Sequence, residues 1–187
     1  MKRAVRIVLT VIFLAACTEV PEATSPVPPP QFKPGKKLTI TMTDLGTLGG
    51  ASSEALDINQ SGAIVGSAQH SSGLVLGFLW QNSVFTALEL LLDAASGRAE
   101  FINNTGMLAG RNTVAGQFRA VVWPIGGGTP IDITPLGWSS SRPTAQSENG
   151  LVVGWGLSLG EGIRSFIRDG NESAQLPDLG GDVQAFG

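Results

Sequence analysis

The sequence predicts an all-β fold: a propeller-like array of about three four-stranded repeats of 44 residues plus a partial fourth, preceded by a signal peptide and a disordered tether. Turn glycines recur at Gly62, Gly106 and Gly150, 44 residues apart each time. A second glycine follows each by four residues, at Gly66, Gly110 and Gly154, and closes a short apolar run. A fixed period of this length marks a repeat architecture, in which one small unit recurs and buries its faces against its neighbours. Composition agrees: 25 glycines, 42% hydrophobic and only 14% charged residues suit many short strands joined by tight turns. A disordered chain would be charge-rich and poor in apolar residues.

The chain opens with Met1-Lys2-Arg3-Ala4-Val5-Arg6, a short positive region. Ile7 to Ala16 follows, apolar except for Thr10. These ten residues are too few to cross a hydrocarbon layer ~30 Å thick as a helix, but they match the apolar region of an export signal. The run ends in Leu14-Ala15-Ala16-Cys17, which resembles the lipobox of bacterial lipoproteins. That resemblance implies a signal peptide over 1–16, cleavage before Cys17, and diacylation of its thiol. Cys17 is the only cysteine, so no internal disulfide is available, and lipidation would leave no free thiol. Thr18 stands where Asp favours retention at the inner membrane, so the expected location is the outer membrane or cell surface.

Residues 17–37 form the lipidated cysteine and its tether. Five prolines between Pro21 and Pro30 favour extended polyproline II at ~3.1 Å per residue, which holds a domain away from a bilayer. The β-repeat domain is expected over 38–187.

Within each repeat an apolar run, a Gly-containing turn and a second run make a hairpin: Asp57 to Gly66, Phe101 to Gly110, and Ala145 to Gly154. A third run ends at Trp80, Trp123 or Arg168. A fourth spans Val84 to Leu88, Pro130 to Thr134 or Ser173 to Leu176. Four strands in ~40–50 residues is the pattern of a propeller blade. Trp80 and Trp123 are expected to fill space between neighbouring blades. Asp178 to Gly187 opens a fourth unit.

These residues resemble the HAF-type extracellular repeats, named for a His-Ala-Phe triplet. The family's Asp-Leu-Gly-Thr-Leu-Gly-Gly run is present at Asp44 to Gly50, and its Ile-Asn hairpin at Ile58 to Gly66. The triplet is degenerate, as Leu76-Gly77-Phe78, Arg119-Ala120-Val121 and Arg164-Ser165-Phe166. The likeness covers roughly residues 44 to 187. It implies a secreted or surface protein with a propeller-like or related repeat fold and transfers no catalytic residue.

Candidate chemistry is sparse. His70 is the only histidine and is read as an exposed loop residue; without a cysteine partner it makes a metal site unexpected. Asp57-Ile58-Asn59-Gln60-Ser61-Gly62 imitates the start of a calcium loop, but Ala68 stands where the bidentate Glu is needed, so a hairpin turn is expected. Gly126-Gly127-Gly128 is read as a turn, because no Gly-Lys-Ser/Thr follows. Glu54, Asp57, Glu100, Glu148 and Glu161 are the acids that a sugar hydrolase could pair, but none recurs in all three repeats. Cleavage before Cys17 removes Lys2, Arg3 and Arg6 and lowers the formal charge from −3 to −6, which argues against nucleic acid as a partner.

The expectation is a lipid-anchored envelope module that binds or scaffolds, with the membrane, glycans or envelope proteins as partners and no cofactor. The alternatives are a propeller-type polysaccharide hydrolase or lyase, and a truncated, non-functional repeat fragment. Metabolic labelling with palmitate is expected to mark the wild-type chain and to be abolished by Cys17→Ser. Equal label on both chains would end the anchor reading.

Overall fold

The computed structural model describes residues 42–177. Cys17, its lipobox and Asp178 to Gly187 lie outside them. The described residues form three four-stranded antiparallel sheets and no helix. The first sheet contains β1 (Gly49–Ile58), β2 (Ile64–His70), β3 (Val75–Gln81) and β4 (Val84–Ala87). The second contains β5 (Ala94–Ile102), β6 (Leu108–Val114), β7 (Gln117–Trp123) and β8 (Ile131–Asp132). The third contains β9 (Trp138–Gln146), β10 (Val152–Ser158), β11 (Gly162–Asp169) and β12 (Glu172–Gln175). Each strand pairs with its neighbour in chain order, so each sheet is one repeat. His70 closes β2 instead of lying in the following loop, because its backbone N–H donates to the Leu74 carbonyl across the turn (2.8 Å).

The sheets pack face to face in sequence: β5 lies against β2 and β3, and β9 against β6 and β7. Two apolar layers result. The first joins Val65 and Leu79 to Leu88, Leu108, Val121 and Trp123. The second joins Ala109, Ala120, Val122 and Ile133 to Trp138, Val152 and Phe166. Side chains alternate across a strand, so Val121 and Trp123 serve one layer while Ala120 and Val122 serve the other. The middle sheet is therefore buried on both faces, which is why Ala120 to Trp123 reads as an unbroken apolar run.

The same alternation explains two tryptophans in one repeat position. Trp80 pairs with Ile64, and Trp123 pairs with Leu108, 44 residues further on. Trp123 faces the first sheet and is fully buried, with its Nε1 donating to the Glu89 carbonyl at 2.8 Å. Leu79 takes the side that the second sheet covers, so Trp80 points the other way and is only half-buried. Arg168 occupies this position in the third sheet. It is buried, and its guanidinium donates to the Gly150 carbonyl (3.3 Å).

Each hairpin turn is built locally. The Asn59 side-chain oxygen accepts from the Ala63 N–H, Asn103 does the same for Met107, and the Ser147 hydroxyl for Leu151, each at 3.0 Å. Short polar side chains that close a turn on their own backbone favour this geometry. Gly62, Gly106 and Gly150 then take φ of 79°, 87° and 86°, a region that costs other residues energy.

The closing glycines have a different reason. Opposite each, the first strand of the sheet carries one extra residue, a β-bulge: Leu56, Glu100 or Thr144. The bulge drives the carbonyl of Glu54, Arg98 or Arg142 into the space a Cβ would need at Gly66, Gly110 or Gly154. Gly110→Ala is expected to cost ~2 kcal/mol or more, since backbone must move. Gly62→Ala, with open space around its Cβ, is expected to cost only ~1 kcal/mol of backbone strain. Urea midpoints of the two variants test this ordering.

Candidate functional site

The bulges place side chains from three repeats along one groove. Glu54, Arg98 and Arg142 are spaced by 44 residues on β1, β5 and β9, as are the bulge residues Leu56, Glu100 and Thr144. All six line an open cleft of about 380 Å³, together with Arg111 of β6. A neighbouring cleft of about 520 Å³ shares Glu54, Arg98 and Arg111. It continues over the polar side chains of Ser52, Ser53, Ser67, Gln69, Ser96 and Thr113, with Val75 and Phe118 beside them. One arm of the groove is thus rich in hydroxyls and the other in guanidiniums.

The charged arm is internally arranged. Arg98 donates to Glu54 of the preceding repeat, and Arg111 pairs with Glu100 at 3.1 Å. Arg111 also lies over the Phe118 ring, 4.5 Å from its centroid. Arg142 stacks on Trp155 at 4.7 Å and has no carboxylate partner among the described residues. The Nε atoms of Arg98 and Arg142 are buried without a hydrogen-bond acceptor. Three arginines against two glutamates leave one positive charge over, located at Arg142.

Burial pushes the Glu100 carboxyl above its ordinary value, against the pull of Arg111, Arg98 and Arg142. Burial likewise lowers Arg111; Glu100 opposes this shift, and the other two arginines add to it. These four side chains form one electrostatic unit. Removing any guanidinium therefore raises Glu100 further.

Of the acids singled out in the sequence, the structure brings Glu54 and Glu100 to one groove and puts the others to structural use elsewhere. Asp57 accepts from the backbone N–H of Ile58 (2.8 Å) and of Ile102 (2.9 Å). Glu148 accepts from the Asn104 N–H at 2.9 Å. Glu161 pairs with Arg164 at 3.7 Å and accepts from Gln175. The His70 Nδ1 meets the Ser72 hydroxyl at 2.8 Å, away from the groove. Among the described residues no three His, Cys, Asp or Glu side chains converge in a way that could hold a metal. The turn glycines Gly62, Gly106 and Gly150 and the buried Trp123 line neither cleft.

Sequence reading missed Arg98, Arg111 and Arg142. They differ from repeat to repeat or carry no motif, and only charge in the 44-residue columns sets Glu54, Arg98 and Arg142 together. No protein-family model and no curated protein matches the chain.

Glu100 stabilises the fold when protonated. Because its folded value is raised, that contribution is complete below the ordinary 4.5 and is lost as pH rises through the raised value. Glu100→Gln is expected to flatten the stability curve over that window, measured as urea midpoints at stepped pH. Arg111→Ala is expected to move the carboxyl titration, followed by carbon NMR, further upward. A carboxyl that titrates at or below 4.5 in the wild type would refute its burial.

Proposed function

We propose that the chain is a lipid-anchored protein of the bacterial cell envelope, at the outer membrane or cell surface, whose repeats act as a binding or scaffolding module. The observation that carries this reading is the groove itself, which crosses three repeats and presents a different side chain from each at the bulge: Leu56, Glu100 and Thr144. A module that only spaced other domains would need no such variation on a conserved backbone device. The export signal and proline-rich tether support display away from a membrane.

We further infer a propeller-like array of blades. Three features support it: four strands per repeat in chain order, face-to-face packing of successive sheets, and a constant 44-residue step between contacts. Likeness to HAF-type repeats rests on Asp44 to Gly50 and Ile58 to Gly66. Glycans and envelope proteins are the proposed ligand classes.

One observation favours an enzyme as the second reading. Glu54 and Glu100 share the groove, and burial raises Glu100 in the direction a general acid needs. Both are held by arginines, which supports a structural and binding role for them instead. Incubating the full chain with a panel of envelope polysaccharides, and reading both retention and new reducing ends, separates the two. Retention without new ends is expected. Reducing ends that disappear in Glu100→Gln would replace the binding reading with a hydrolase or lyase.

A further inference from the structure

We propose that the groove binds an acidic oligosaccharide, with Arg142 gripping a sugar carboxylate and the hydroxyl-lined arm receiving sugar hydroxyls. This rests on the binding-module reading and names its ligand class.

The case starts from charge. Arg98 and Arg111 are each matched by a glutamate, whereas Arg142 is matched by none among the described residues. Its guanidinium lies over the Trp155 ring, and its buried Nε has no acceptor within the protein. A guanidinium oriented this way presents a planar fork of N–H donors, which fits a carboxylate by two parallel hydrogen bonds. Arg98 and Arg111 stand in the same groove but are matched by Glu54 and Glu100, so the net attraction for a carboxylate comes from Arg142.

The second arm selects among carboxylates. Ser53, Ser67, Ser96 and Gln69 line this arm beside Val75 and Phe118. The Ser53 hydroxyl already donates to the Gly46 carbonyl and the Ser96 hydroxyl to Thr113, which leaves both oxygens as acceptors. That surface suits sugar rings, whose hydroxyls donate to the side-chain oxygens while their C–H faces pack on Val75. Two contiguous clefts that meet at Glu54, Arg98 and Arg111 make the site longer than one sugar ring needs. The chain as a whole is negative, so long polyanions are repelled elsewhere while a short acidic segment is attracted here.

The test uses the full-length chain in detergent with trigalacturonate and its fully methyl-esterified form, which keeps size and hydroxyls but loses the charge. Binding is read by calorimetry and by tryptophan fluorescence, to which Trp155 contributes. The acid is expected to bind about tenfold or more tightly than the ester, with affinity falling as salt is raised. Arg142→Gln is expected to lose about tenfold for the acid and little for the ester, and Arg142→Lys to lie between. If Arg142→Gln does not fold, the acid–ester comparison on the wild type still decides. Equal binding of acid and ester, or wild-type affinity in folded Arg142→Gln, would overturn acid recognition and leave the broader binding reading standing. No binding of either sugar would also overturn this proposal. In that case retention of another envelope polysaccharide would keep the binding reading, and retention of none would remove its glycan arm.

Discussion

Asn59 donates its side-chain amide to the carbonyl of Asn103 at 3.1 Å, and Asn103 repeats the contact to the Ser147 carbonyl at 3.4 Å. Beside them, the Gln60 N–H donates to the Asn104 side chain and the Asn104 N–H to Glu148. Every step is 44 residues. This ladder sets each sheet on the one before at a constant offset, and the apolar layers can form only at that offset. Val65 then shares a layer with Leu108, and Ala109 with Val152, because all four follow their turns at fixed distances. Hydrogen bonds of this kind contribute about 1 kcal/mol each, so the layers supply most of the stability while the ladder supplies the register.

The bulge follows from the same repetition. In each first strand one residue is squeezed out opposite a glycine, and each time it lands in the same groove. A bulge bends the strand and re-aims the side chains beside it. The glycine is the backbone condition for this device, and the residues at the bulge are free to differ. Leu56, Glu100 and Thr144 share a geometry and nothing else. A repeat protein can build an asymmetric site in this way from a symmetric frame.

Charge is placed where the frame leaves space. Arg98 reaches back to Glu54 across the boundary between repeats, and Arg111 holds Glu100 within its own sheet. Burial weakens the ionised form of Glu100, and three guanidiniums restore part of it. Arg142 lies over Trp155 and has no carboxylate partner among the described residues. The Arg168 guanidinium sits in a slot filled elsewhere by tryptophan, where its stem packs in place of a ring while its N–H groups reach Gly150 and Met107.

The repeat period, the strand count per repeat and the hairpin turns were legible in the sequence. They depend on short-range chemistry: Gly at a positive φ, Asn or Ser closing a turn, and apolar runs of strand length. The different burial of Trp80 and Trp123 was not legible, because the two share a local pattern and differ only in whether a sheet lies against them. The groove was hidden for a related reason. Arg98, Arg111 and Arg142 carry no motif, and Glu54 lies 44 residues from the arginine that holds it. By itself the sequence determined what each repeat is, since local geometry and strand pairing are written within about forty residues. Only the tertiary structure decided which faces are covered and which charges meet, since both arise where one repeat packs on the next.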